Sequence, residues 1–490
     1  MPLTEFARGF VTSATRGSAG LGGWHRTQAG SGETTAEPSA ALPSPAGPYD
    51  GGLGVPPPQL GMSKLMSAVA FSVRQGDMMF RARRKHGDVF QFNSMITDLP
   101  TVVTCHPDHI KSLLTADPAI APSLAKDSPL RPIVGESSVL TAVGERHRRQ
   151  RKLLMPSFHG EAIARYRDQI VAATDRNISG WSVGSTFPLA IAAQAITLDV
   201  IMAGVFGIDG RPRPDSPEHR LRRAVRSILW LSTSPLSKPA ELMNLGRDEA
   251  VGVQRVAMAR LDRAMYAVIG HRREDRGAGD QRDVLSLLLG ARADDGEALT
   301  DLELRNELLT LVLAGHETTA NSIAWACERL LRNRGAYDSL REAVRDGSSD
   351  YLDATIYEAM RARPVVPIIG RQVEVPWQLG EFVIPAGTHV LVSILLLHHR
   401  EDIYPDPHAF RPERFLGVKP GTPNWLPFGG GDRRCLGSAL ALEEMRIVLR
   451  EIVRRTDLRA PDLTPERPRH RNVTMIPARG GRVTLEALRR

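Results

Sequence analysis

One short stretch constrains this chain more than any other: Phe428-Gly-Gly-Gly-Asp-Arg-Arg-Cys435-Leu-Gly437, a glycine-rich loop that runs straight into a helical pattern. The glycines let the backbone approach something flat and turn its N–H groups toward the sulfur. The helix behind the loop brings its positive dipole end to the same spot. Arg433 and Arg434 add formal positive charge. Each of these lowers a thiol pKa, so the expectation is a thiolate at Cys435.

A cysteine ahead of a helix can be a plain core residue. A thiolate held by backbone donors is also what the proximal side of a thiolate-ligated haem iron requires. The spacing separates the two readings. Phe, two residues, Gly, one residue, Arg, one residue, Cys, one residue, Gly is filled at every fixed position by Phe428, Gly431, Arg433, Cys435 and Gly437. The loop closely resembles the haem-binding signature of the cytochrome P-450 family. That resemblance implies heme b with its iron ligated by Cys435. It also implies a mainly α fold with small β-sheets, the haem lying between a long central helix and the helix that follows the cysteine loop.

The chain has 490 residues, a length that by itself suggests about three domains. The haem motifs run from His147 to Cys435, so one large domain is the better expectation. The formal net charge of +8 would suit nucleic acid, yet aromatic residues are 5% and no base-stacking or zinc-finger pattern occurs. The charge is therefore read as a docking face or as solvation. The cysteines are Cys105, Cys327 and Cys435. An odd number without C-x-x-C pairs argues against a disulfide framework and for a reducing, cytoplasmic setting. Cys105 and Cys327 lie in apolar contexts and read as inert core thiols. No apolar run is seen to reach the roughly 18 residues of a membrane span, and no leader pattern is evident, so no transmembrane anchor is expected. Residues 1–45 are rich in Gly, Ser, Ala, Thr and Pro. They read as a disordered tail and 43–58 as an extended proline-rich lead-in. The expected division is a tail and linker over 1–60 and a haem domain over 61–490.

Apolar periodicity predicts helices over 181–208, 217–231 and 246–276, and strands near 88–92, 380–384 and 388–394. Thr300-Asp-Leu-Glu303 is a capping box opening a helix that continues to about residue 334, roughly 50 Å. Midway lies Ala314-Gly-His-Glu-Thr-Thr319, a run of weak helix choices around an acid. Local rules are broken most often at functional sites. The plain alternative is a kinked helix with an exposed acid. The segment is similar to the family's central-helix motif, an acid–threonine pair beside the bound oxygen. The resemblance implies that Glu317 relays protons from solvent, Thr318 hydrogen-bonds the oxygen side, and Gly315 leaves room for oxygen and substrate. His316 is read as a tolerated position rather than a metal ligand.

Glu358-Ala-Met-Arg361 puts an acid and a base on one helix face, a pairing that is common and weak when exposed. With Arg371 ten residues after Arg361 and Phe410-Arg-Pro-Glu-Arg414 beyond, it resembles the family's buried Glu358–Arg361–Arg414 network. Arg363 departs from that pattern. Gly144 to Lys152 is a strongly basic helix on which His147 and Arg151 share a face. By resemblance His147, Arg151, Arg371 and Arg433 bind the haem propionates. Arg146, Arg148, Arg149 and Lys152 are either a solvated face or, with Arg434, a patch that steers an acidic electron carrier. The partners so implied are ferredoxin and ferredoxin reductase, with no fused flavin domain, and a monomer as the family's ordinary state. Ala314, Val366, Ile368 and Met475 are the expected pocket residues. Their apolar character suits a hydrophobic substrate such as a fatty acid, terpenoid or sterol-like molecule, as it would for nearly any member.

The implied activity is insertion of one oxygen atom from O2, with electrons from NAD(P)H. A haem sensor or ligand-binding protein on the same fold would need Cys435 but not the Glu317–Thr318 pair. A peroxide-driven or isomerase relative would alter that pair.

Overall fold

The Thr300 hydroxyl accepts from the Glu303 N–H at 3.2 Å while the Glu303 carboxylate accepts from the Thr300 N–H at 2.9 Å, closing both halves of the capping box. The helix it opens runs Asp301–Leu331, three residues short of the expected end. In this computed structural model the described residues are 44–489 apart from 52–53, 96, 159, 209, 211, 234–242, 245–246, 275–282 and 294–295. The expected disordered tail falls outside them up to residue 43.

The central helix packs along the helix Leu189–Phe206. A Cβ on Gly315 would sit 2.8 Å from Ile201 Cδ1, and Thr197 Oγ1 donates to the His316 carbonyl at 2.9 Å. Gly315 therefore serves a close helix crossing. It does not clear space for a ligand, which corrects the sequence expectation. The partner helix corrects another. It is 18 residues long with mean hydropathy 2.0, so a run of membrane-spanning length and composition does occur. Its apolar surface is explained by packing on several sides, against Glu161–Ile178 and the central helix, and 72% of it is buried. The helix expected to begin at residue 181 begins at Leu189, because Thr186–Pro188 extend as a strand paired with Arg482–Thr484. Likewise the helix expected from residue 246 is observed over Gly252–Glu274.

The strands form small sheets, as the resemblance implied. In the largest described one, Val89–Phe92 pairs antiparallel with Thr101–Thr104. That strand pairs parallel with Thr388–Ser393, which pairs antiparallel with Ile368–Val373. The lead-in is not a free linker. Ala46–Pro48 pairs antiparallel with Trp377–Leu379, and Gln59 bridges to Gln91. The folded domain thus reaches well before residue 61, because the edge of the 377–384 hairpin needs a partner strand.

One large core surrounds the central helix. A second, smaller cluster of Met79, Phe90, Phe92 and Val103 lies under the first described helix, Lys64–His86. Cys105 and Cys327 are buried, and desolvation pushes each thiol up to about 12, so both are inert as expected.

Candidate functional site

The cysteine loop is fixed by backbone. Cys435 N–H donates to the Phe428 carbonyl at 2.9 Å, and the Phe428 ring meets Trp425 edge-on at 5.9 Å. Gly431 has φ +65°, and a Cβ there would lie 2.1 Å from the Leu114 carbonyl oxygen, so only glycine lets the loop seat on the helix Pro107–Thr115. The helix behind the loop begins at Ser438, with Gly437 at its cap. Cys435 is the one exposed cysteine. Desolvation by the surrounding walls raises its pKa, outweighing the Gly437 N–H, Arg151 and Arg434, which lower it. Of the influences foreseen in the sequence, a glycine N–H and Arg434 do lower it, yet against burial they do not make a thiolate by themselves. A coordinated metal cation would do so outright.

Beside the thiol the chain gathers positive charge. Arg371, buried on its strand, donates to Asp432 Oδ1 at 3.2 Å and to the Leu113 carbonyl at 3.4 Å. Arg433 donates to the Val139 carbonyl at 3.2 Å and to the Ala142 carbonyl, while its buried Nε has no partner. Arg151 donates to the Arg434 carbonyl at 2.8 Å. His147 is buried among these groups. Desolvation, then Arg433, Arg151 and Arg371, hold its pKa down to about 4, against the pull of Asp432. Desolvation, with Arg371 and Arg151, likewise lowers Arg433 to about 10, Asp432 opposing. Asp432 is thus the recurring acid amid several cations. The surplus charge of buried Arg371 and half-buried Arg433 and Arg151 next to an accessible thiol fits an iron-centred macrocycle bearing carboxylates, and the residues pass that test. Asp432 was not singled out in the sequence, although an acid set between the loop's glycines and arginines was the available signal.

The central helix presents Ala314 exposed in mid-helix, and Thr318 Oγ1 donates to its carbonyl at 2.6 Å. The Glu317 carboxylate is held by Arg471 Nη2 at 2.7 Å, Arg471 Nε at 2.8 Å and Thr474 Oγ1 at 3.0 Å. Arg471 and Thr474 come from a hairpin, Pro468–Arg471 and Thr474–Pro477, and nothing in local pattern would have joined them to Glu317. His316 is buried, and desolvation together with Arg471 lowers it to about 4.

The ion network is fully assembled. Glu358 and Arg361 are completely buried and joined at 2.6 Å and 2.8 Å. Arg361 also donates to the carbonyls of His398, Pro407 and Ala409. Glu358 accepts from Arg411 N–H at 2.9 Å, with Arg414 Nε 3.6 Å away. Arg414 reaches the Asp406 carbonyl at 2.7 Å. The departing Arg363 stacks over Trp325 at 5.4 Å.

Two expectations change. Ile368 packs on the smaller cluster with Leu391, because strand alternation turns it away from the large core that Ile369 joins. Met475 is buried in its strand, its N–H donating to Val365 and its carbonyl accepting from Trp325. Ala314 and Val366 remain partly accessible. The basic helix is also less free than its sequence suggests. Arg149 and Gln150 bind Glu303 at 2.8 Å and 2.9 Å, Arg146 pairs with Glu136 at 3.3 Å, and Arg148 pairs with Glu145.

The cytochrome P450 family model matches residues 56–485. Cytochrome P450 138 of Mycobacterium tuberculosis is 34% identical over 88% of this chain and 96% of its own length. Cytochrome P450 135B1 of the same organism is 35% identical over 83% of this chain and 86% of its own. Among solved structures, the retinoic acid-bound cyanobacterial CYP120A1 superposes with a TM-score of 0.74 at 23% identity. That alignment covers 89% of this chain and all of the other.

Proposed function

The chain belongs to the cytochrome P450 family, a haem-thiolate monooxygenase, and from that premise we propose that it oxidises a hydrophobic organic substrate with electrons delivered by a separate ferredoxin and its reductase. Bound beside Cys435, haem supplies the activation of O2 and the insertion of one oxygen atom. The observation that carries the reading is the accessible Cys435 thiol set beside the surplus positive charge of buried Arg371 and half-buried Arg433 and Arg151.

The chain's own residues then have these tasks. Cys435 Sγ ligates the iron. Arg371, Arg433, His147 and Arg151 hold the propionates, Phe428 and Gly437 shaping the loop around the sulfur. Glu317 takes protons at Oε2, while Arg471 and Thr474 hold Oε1. Thr318 Oγ1 passes them to the haem side by releasing the Ala314 carbonyl, with water spanning the gap between the two side chains. Glu358, Arg361 and Arg414 keep the scaffold under the haem rigid. Ala314 and Val366 face the substrate, whose apolar character follows from the scarcity of fixed charge there.

A panel of fatty acids, terpenoids and sterols titrated against the ferric protein tests the substrate class, the expected outcome being a spin-state shift with one class. Thr318→Ala should keep that shift while product per NAD(P)H consumed falls by about tenfold or more. Unchanged coupling would remove Thr318 from the proton path.

A further inference from the structure

A cavity of about 910 Å³ lies outside the haem side of the molecule, between the helices Leu189–Phe206 and Pro217–Thr233 and the central helix. None of Ala314, Thr318, Arg371, Arg433 or Cys435 lines it. Its volume is that of a pocket for a drug-sized molecule.

The wall is built of two kinds of surface. Ile191, Leu198, Leu229 and Trp230 give it an apolar lining. Its charged groups are Arg176, Arg222, Arg226 and Arg471 against Asp199 and Glu317. Arg222 is bound to Asp199, which also stands 3.9 Å from Arg176, and Arg471 is bound to Glu317. Arg226 has no ion-pair or hydrogen-bond partner among the described residues. It shares one helix face with Arg222 and Trp230, each four residues away. Arg226 and Trp230 also line an adjoining cavity of about 410 Å³ with Arg260, so an extended molecule has room past them. At the inner wall His316 is 4% exposed, and its Nδ1 has no hydrogen-bond partner.

We propose that this cavity is a second ligand site, for an amphipathic organic anion whose carboxylate pairs with Arg226 while its apolar body lies along Trp230, Leu229 and Leu198 and reaches toward His316. The surplus of arginine over carboxylate selects the charge, and the apolar wall selects the body. The far end of its apolar body would lie beside the Arg471–Glu317 pair, so its presence would be felt at the proton-handling side of the central helix.

The test uses the haem-loaded protein and sodium dodecanoate, with dodecanol as the uncharged comparison. Binding is read by equilibrium dialysis and by tryptophan fluorescence, and the ferric Soret band is recorded in parallel to report any occupancy of the haem side. The expected result is saturable dodecanoate binding with a fluorescence change that Trp230→Phe removes. Arg226→Ala should weaken that binding about tenfold without altering the Soret response. Arg223→Ala, which removes the same charge from an exposed neighbouring position outside the cavity, should leave it unchanged. Equal affinity in the Arg226→Ala protein would overturn the proposal. So would dodecanol binding as tightly as dodecanoate, or an equal loss in Arg223→Ala.

Discussion

Two clusters of arginine in this molecule are built oppositely. Around Glu358 and Arg361 the pair itself closes. It is dry, every nitrogen of Arg361 donates, and the carboxylate also accepts from Arg411 N–H, with Arg414 Nε paired to it by charge alone at 3.6 Å and without a hydrogen bond. Around Asp432 the pairing does not close. Arg371 donates to that carboxylate, Arg433 and Arg151 stand near it bonded only to backbone carbonyls, Arg433 Nε has no partner, and the nearby thiol is accessible. A network that satisfies itself stabilises a scaffold. One that is left charged is waiting for an anion from outside the chain. Glu444 shows the alternative when no anion comes. Buried with no hydrogen bond to Oε1, it gives up its charge, desolvation raising its pKa to about 8. Arginine discharges far less readily, so the surplus at Asp432 needs a partner.

The contrast can be broken in four places. The largest effect is expected at Cys435→Ser, which should abolish the red-shifted Soret band of the reduced carbon monoxide complex and all hydroxylation. Retention of either would unseat the haem-side reading altogether. Next, Glu358→Ala or Arg361→Ala should cost about 3–5 kcal/mol in urea unfolding, because each strands a buried charge. Replacing both with leucine should recover most of that loss. A double substitution as damaging as the single ones would show that the network does more than satisfy itself. Third, Arg433→Leu should speed haem loss to apomyoglobin by about tenfold, yet raise the urea midpoint of the haem-free chain by removing a like-charge contact. Reduced stability without haem would mean the cluster is structural after all.

The smallest effect concerns pH. Glu444 is protonated in the fold and its pKa lies above the unfolded value of 4.5. Its contribution is therefore complete below 4.5 and is lost as pH rises through about 8. The fall in urea midpoint between mildly acid and mildly alkaline pH should be shallower in Glu444→Gln than in the native protein. Parallel curves would assign that charge a hidden partner.

Much of this was legible in sequence because it is local. The cysteine loop, the capping box at Thr300 and the Glu358–Arg361 spacing are each written within a few residues, and each forms as read. What could not be read is what arrives from a distance. Arg471 and Thr474 hold Glu317 from a hairpin about 150 residues away. Glu303 neutralises Arg149, part of the basic patch foreseen as a docking face. The role of Gly315 was misread for the same reason, since only the crossing with Ile201 reveals which way its missing side chain would point. Ile368 was placed in the pocket by neighbourhood alone, and strand alternation moved it to another core. The thiol pKa had its signs right and its balance wrong, because desolvation depends on walls that no motif describes.

The strand Ala46–Pro48 has a practical consequence. A protein begun at the apparent end of the proline-rich segment would keep every haem motif and still expose a raw sheet edge along Trp377–Leu379. Such an edge invites pairing with another chain. Shortening at the amino end should therefore stop ahead of residue 44, and clumping of shorter versions would trace to that lost strand rather than to the pigment.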